Sequence, residues 1–182
     1  MKKVLIHVCC GVCASFAIQK LKSEGFSVEA FFFNPNIHPR GEYLKRREVM
    51  NIVADKQKIK VVEGCYDVPL WFNICKDDSN QIEGGARCVD CYSLRLKETF
   101  NYCLQKEYDY FTTTLTISPH KSSMSIIEVG CKIGDKKFLP YDFKKEGGFA
   151  KTIDIAKKNN LYRQNYCGCV YSRTSRIKDN TR

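Results

Sequence analysis

The first 66 residues alternate in hydrophobic period, and this alternation constrains the fold more than any other feature of the chain. "KKVLIHVCC" is an apolar run of strand length. "ASFAIQKLKSEG" sets Ala14, Phe16, Ala17, Ile18 and Leu21 on one stripe and stops at Gly25, as a helix does. "FSVEAFFFNPN" reads as a second strand ended by Pro35. "GEYLKRREVMNIVADKQK" reads as a second helix, and "IKVVEGCY" as a third strand. A β-α-β-α-β order implies parallel strands with crossover helices. The expected class is therefore α/β, an open parallel sheet with helices on both faces.

Beyond this the pattern loosens. "VPLWFNICKD" predicts a short helix, "DDSNQIEGGAR" a polar loop and "CVDCYSLRLKETFNYCLQKEY" a long helix. "DYFTTTLTISP" is a β-branched strand, "KSSMSIIEVGCKIGDK" starts as a helix, and "KFLPYDF" is read as a fifth, short strand. "GGFAKTIDIAKKNN" is helical, and "LYRQNYCGCVYSRTSRIKDNTR" is read as irregular and fraying. The 182 residues suit one domain, with a helical insertion over about 67–107 and a basic, irregular segment over about 161–182. No apolar stretch reaches the roughly 18 residues of a membrane span. "MKK" resembles a signal n-region, but "VLIHV" is too short to follow it as an h-region, so the expected compartment is the cytoplasm.

Eleven cysteines is a high and odd count for such a chain. In a reducing compartment, clustered thiols are more often metal ligands or redox groups than disulfides. Seven group by spacing: Cys9 beside Cys10, Cys10 and Cys13 as C-x-x-C, Cys88 and Cys91 as a second C-x-x-C, and Cys167 and Cys169 as C-x-C. A C-x-x-C at a helix start lets two thiolates reach one ion, with the helix dipole favouring negative sulfur. All-thiolate sets suit zinc or an iron–sulfur cluster, and seven exceed one mononuclear centre. Cys88 and Cys91 are expected to share a centre. Cys9 and Cys10 are expected to diverge to different ones, because neighbours on extended backbone point oppositely. Cys65, Cys75, Cys103 and Cys131 stand alone and read as packing residues. The predicted metal site lies beyond the carboxyl ends of the strands, where open parallel sheets bind ligands.

The net charge of +10 points to a polyanionic partner, and residues 140–182 carry ten Lys/Arg against four Asp/Glu. Neither a G-x-x-x-x-G-K-[ST] loop nor a G-x-G-x-x-G fingerprint is present. An ATP-using thiolase or ligase of this class would carry an S-G-G-x-D-S-type loop after its first strand, where this chain has "CCGVCAS". His7 reads as a core or supporting group. His38 and His120 lie on loops.

Six segments in this order, "HVCCGVCAS", "FFFNPNIHPRGEYLKR", "RCVDCYSLRL", "FTTTLTISPHKS", "FLPYDFKKEGGF" and "LYRQNYCGCVYS", closely resemble the cobalamin-independent epoxyqueuosine reductase family. The resemblance spans residues 7–172. It implies an adenine-nucleotide hydrolase-like (HUP-like) fold and an oxidoreductase that removes the epoxide oxygen of epoxyqueuosine at the tRNA wobble position. It further implies a [4Fe–4S] cluster, a nearby mononuclear iron, and Cys9, Cys10, Cys13, Cys88, Cys91, Cys167 and Cys169 as the metal-ligand motifs. The family commonly has Ala-Pro between the second and third of these. Here Gly11-Val12 stands there, which predicts a looser turn.

Epoxide deoxygenation needs two electrons from an external donor, a Lewis acid and a proton. Asp142 is the preferred proton donor, because "PYDF" ends the predicted fifth strand. Tyr141, Tyr92 and His120 are the other candidates. An anticodon loop is read by stacking and by phosphate contacts. Arg40, Lys45, Arg46, Arg47, His120, Lys121, Tyr162, Arg163, Tyr166, Tyr171, Arg173 and Arg176 are the candidate contacts. The rival reading is a zinc-stabilised RNA-binding module without redox activity.

Overall fold

The computed structural model describes residues 1–76 and 82–179, with side chains described as far as Thr174. Four parallel strands form one sheet in the order β3-β2-β1-β4: β1 Lys3–His7, β2 Ser27–Phe32, β3 Val61–Glu63 and β4 Tyr110–Thr113. Ile6 stands between Ala30 and Thr112 in the register. Helices α1 (Gly11–Ser23) and α2 (Arg40–Gln57) join the first three strands. α3 (Val68–Cys75) and α4 (Ala86–Gln105) lead from β3 to β4. α5 (Ser123–Gly134), α6 (Gly148–Lys158) and α7 (Val170–Asp179) follow.

Both faces of the sheet are covered, and the side-chain period of two sorts the strands between them. Val4, Ile6, Val8, Val28, Ala30 and Phe32 join the core beneath α1 and α2. Leu5, Phe31 and Phe33 join a second core with Trp71 of α3 and Cys91, Leu94 and Cys103 of α4. The parallel α/β class read from the alternation is therefore the observed one.

Three expectations are corrected. The fourth strand ends at Thr113, and Thr114–Ile117 form a 3₁₀ turn. The Thr113 hydroxyl accepts from Leu115 N (3.1 Å), a local bond that competes with the ladder. The predicted fifth strand is only an isolated bridge, Phe111 to Phe138. Pro140 has no N–H for a ladder, and hydroxyl groups of Thr112 and Thr116 meet the carbonyls of Leu139 and Tyr141 instead (2.8 and 2.9 Å). The C-terminal segment is irregular only as far as Cys169; residues 170–179 are helical. Cys169 Sγ accepts the Ser172 N–H (3.4 Å), which caps a terminus that would otherwise leave its N–H groups unmet. The polar loop read over residues 77–87 lies partly outside the described residues, as do residues 180–182 of the C-terminal segment.

Candidate metal centre

β1 stops at His7; Val8 N still donates to the Phe31 carbonyl (3.0 Å), and Cys9 and Cys10 leave the ladder before α1 begins. Cys10 is extended (φ −168°, ψ 156°) and caps α1: its sulfur accepts the Cys13 N–H at 3.4 Å. This change of direction brings the sulfurs of Cys9, Cys10 and Cys13 within 4.8 Å of one another. The expected divergence of Cys9 and Cys10 is thus overturned, because the alternation of extended backbone ends where the helix begins. Gly11 makes the geometry available. A Cβ there would lie 2.3 Å from the Val49 carbonyl oxygen of α2, so the glycine is a close-packing residue and the turn is a capped helix start.

Cys88 and Cys91 sit on the first turns of α4 and are buried, and Cys169 is buried at the start of α7. Gly84 N–H reaches Cys88 Sγ at 3.2 Å. Cys91 and Cys169 share one core with Cys75. Burial raises the thiols of Cys88 and Cys91, and burial with the neighbouring Cys167 pushes Cys169 up to about 12. In the triad, hydrogen bonds from Cys10 and Cys13 hold Cys9 well below the usual thiol range. The bonds that Cys13 makes to Cys10 and Cys9 raise its own thiol. All eleven cysteines are free thiols.

A cavity of about 180 Å³ opens on this cluster. Cys9, Cys13 and Cys167 line it with Thr114, Lys121 and Gln164. Pro119, His120, Arg163 and Tyr166 also line it. Burial opposes the Lys121 ammonium, but Cys167, Tyr92 and Cys9 outweigh that and hold it charged. Gln164 Nε2 donates to Cys10 Sγ at 3.0 Å. The donor set fits a soft metal: thiols alone, three of them close enough for one ion, with N–H groups directed at sulfur.

Several predicted residues land elsewhere. Arg46 is 1% exposed: its Nε donates to Glu42 (2.6 Å), and its Nη1 and Nη2 to the carbonyls of Cys167 (2.9 Å) and Tyr166 (3.1 Å). It holds the C-x-C turn from inside and has no surface to offer RNA. Arg47 pairs with Glu63 (3.1 Å), whereas Arg40, Lys45, Arg163 and Arg173 are exposed. Asp142 does not line the cavity; it accepts from Ser123 Oγ (2.9 Å) and Lys144 N (3.1 Å), as a turn residue does. Tyr141 donates to Glu24 of the α1 end. Tyr92 is buried, and Tyr171 stacks with Arg87 (4.5 Å). The Tyr166 hydroxyl donates to the His38 carbonyl. His38 packs half-buried against Trp71 and Phe72. The Arg176 side chain lies outside the described residues. Of the isolated cysteines, Cys75 and Cys103 are buried as expected, but Cys65 and Cys131 are exposed.

The family profile described as "Epoxyqueuosine reductase QueH" matches residues 4–175. The chain belongs to this family. Proteins named epoxyqueuosine reductase QueH from Thermotoga maritima and Staphylococcus epidermidis are 37% and 35% identical to it. The first match covers 94% of this chain and 91% of the relative, the second 93% and 76%. A relative of the same name from Dehalococcoides mccartyi is 33% identical, covering 96% and 94%. Two solved structures share the HUP-like fold at a TM-score of 0.57. One is a predicted subunit of a tRNA methyltransferase from Methanocaldococcus jannaschii, at 15% identity, covering 87% of this chain and 76% of that one. The other is the U34-tRNA thiolase NcsA from Methanococcus maripaludis with its [4Fe-4S] cluster, at 14% identity, covering 98% and 65%. Within the family's matched span, sequence reading missed Gln164, Arg95 and Ser172. Only Arg95 left a signal: it lies at i+7 and i+4 from Cys88 and Cys91, on the same helical face.

Proposed function

We propose that this chain removes the epoxide oxygen of epoxyqueuosine in the anticodon loop of a tRNA, leaving queuosine. As a member of the epoxyqueuosine reductase family it is an oxidoreductase. One observation carries the reading: Cys9 and Cys13 of the thiol triad line a cavity that also holds the half-buried Lys121 and opens beside the exposed Arg163. The substrate takes up two electrons and two protons, and the oxygen leaves as water. Among the described residues only Cys9, Cys10 and Cys13 meet closely enough for one ion, and seven thiols exceed one mononuclear centre, so we assign the seven to a [4Fe–4S] cluster and a single iron. When bound, these supply single electrons and a Lewis-acid position for the leaving oxygen.

The chain's own residues do the rest. Lys121 brings N–H donors and positive charge to an oxygen inside the cavity. Among the four groups weighed as proton donors, only His120 lines the cavity, so it takes that role in place of Asp142, Tyr141 or Tyr92. Arg40, Lys45, Arg163 and Arg173 meet phosphates, and Tyr162, which stacks beneath Lys45 (5.6 Å), is a platform for a base. Electrons come from an external donor in the cytoplasm, where tRNA is modified. No described helix is long and apolar enough to cross a membrane.

The test is direct. Anaerobic protein is incubated with a reductant and tRNA bearing epoxyqueuosine, and the digested nucleosides are weighed. Loss of one oxygen is the expected result. A brown, iron-loaded protein that leaves the mass unchanged overturns the reading. A colourless protein holding only zinc favours the RNA-binding module. Cys9→Ala and Cys88→Ala are expected to lose different amounts of iron, one cluster-sized and one a single ion.

A further inference from the structure

Arg95 is 1% exposed and, among the described residues, has no carboxylate partner. Its Nε donates to His7 Nε2 (3.3 Å) and its Nη2 to Asn34 Oδ1 (2.7 Å). Neither an imidazole nor an amide carries negative charge. The other fully buried arginine, Arg46, has Glu42 at 2.6 Å. A guanidinium taken out of water without a counter-ion is strongly unfavourable, so a chain that keeps one has something anionic to set against it. Among the described residues, the groups near Arg95 that can carry negative charge are the sulfurs of Cys91 and Cys9. Arg95 projects from the same face of α4 as Cys88 and Cys91, and its bond to His7 sets it at the end of β1, two residues before Cys9. His7 and Asn34 anchor it from the ends of β1 and β2, so the charge is fixed in place.

We propose that Arg95 is a positioning residue for the metal centre: the internal counter-charge that lies under both thiol groups and draws the reduction potential of the metal they hold to a more positive value. This rests on the thiol-held iron of the preceding subsection. Reduction adds negative charge to a thiolate-ligated centre. A fixed positive charge in a low-dielectric interior favours the reduced form, and its removal disfavours it. The same charge also favours binding, because the ligands bind as thiolates.

Anaerobically reconstituted protein, titrated by redox potentiometry with electron paramagnetic resonance, tests the proposal. Arg95→Gln is expected to shift the potential to a more negative value and to lose iron faster to a chelator. Arg95→Lys, which keeps the charge, stays close to wild type. Asn34→Asp leaves the arginine in place but gives it a carboxylate, and it is expected to shift the potential in the same negative direction. If Arg95→Gln does not fold, Asn34→Asp decides. An unchanged potential in either neutralised variant, or a shift in Arg95→Lys as large as in Arg95→Gln, overturns the proposal. Wild-type protein that holds no iron overturns the reading in the preceding subsection instead. Arg95 is then judged on cobalt(II) titration, where Arg95→Gln must bind more weakly than Arg95→Lys, and equal binding overturns the proposal.

Discussion

His7 is 0% exposed at the end of β1, beneath the triad, and shows how much a single side chain reports. Its ring lies between the Thr113 hydroxyl (2.9 Å) and Arg95 (3.3 Å). Burial, and then the Arg95 charge, lower its pKa from 6.5 to about 3. The folded chain therefore keeps His7 neutral where the unfolded chain takes up a proton. Stability falls as pH drops from 6.5 towards 3, with a slope approaching about 1.4 kcal/mol per pH unit from this group. In metal-free His7→Gln that part of the slope is lost. Urea unfolding between about pH 7 and 5 should show a shallower decline than wild type, and parallel declines would refute the assignment. The sequence marked His7 correctly as a supporting group because it sits within an apolar strand. It misread Arg46 as an RNA contact, because a basic run looks the same whether one member turns inward or none does. Only the Glu42 carboxylate and the carbonyls of Cys167 and Tyr166 around it show the difference.

The start of α1 carries the site at the scale of an element. Cys10 caps it, Gly11 lets α2 pass, and Cys13 completes the first turn. Gly11→Ala would press a methyl group against the backbone of Val49 and Met50, at 2.3–2.8 Å, which no side-chain movement relieves. Overpacking of this kind costs typically about 1–3 kcal/mol. Because the strain falls between two of the proposed ligands, metal retention should drop with it. Thermal unfolding and iron content are measured on the same preparation. A variant as stable and as iron-rich as wild type would refute the close-packing role. The helices on either side were legible because their apolar stripes are long. The fifth strand was misread because "KFLPYDF" has strand-like residues, while its ladder bonds go to threonine hydroxyl groups from elsewhere in the chain.

Charge and metal act on the whole molecule. With Arg40, Lys45, Arg163 and Arg173 as phosphate contacts, four charges on single-stranded RNA give a slope of log K against log salt of roughly −3. Arg163→Glu should flatten it, and a salt-independent affinity would remove these residues from the interface. The proposed thiol ligands come from the end of β1, the start of α4 and the start of α7, so on the proposed reading the bound metal ties the middle of the chain to its C-terminal segment. At 100 to 1,000 times the dissociation constant, a bound metal stabilises by roughly 3–4 kcal/mol. For a domain of this size that is roughly 10 °C in Tm. Chelation should therefore lower Tm by about that amount and expose the segment after α6 to protease. An unchanged Tm on metal removal would show that the thiols are not structural anchors.

The alternating period by itself determined the parallel α/β class, and the C-x-x-C spacing placed Cys10 and Cys13 together. Both are short-range properties: a helix or strand period is written in neighbouring residues, and a C-x-x-C reaches only one turn. The tertiary structure alone decided that Cys9 and Cys10 converge, that Arg46 and Arg95 turn inward, and that Gln164 reaches Cys10 from 154 positions away. Each of these depends on where a chain direction changes or on which distant backbone passes close by. Sequence spacing carries no record of either.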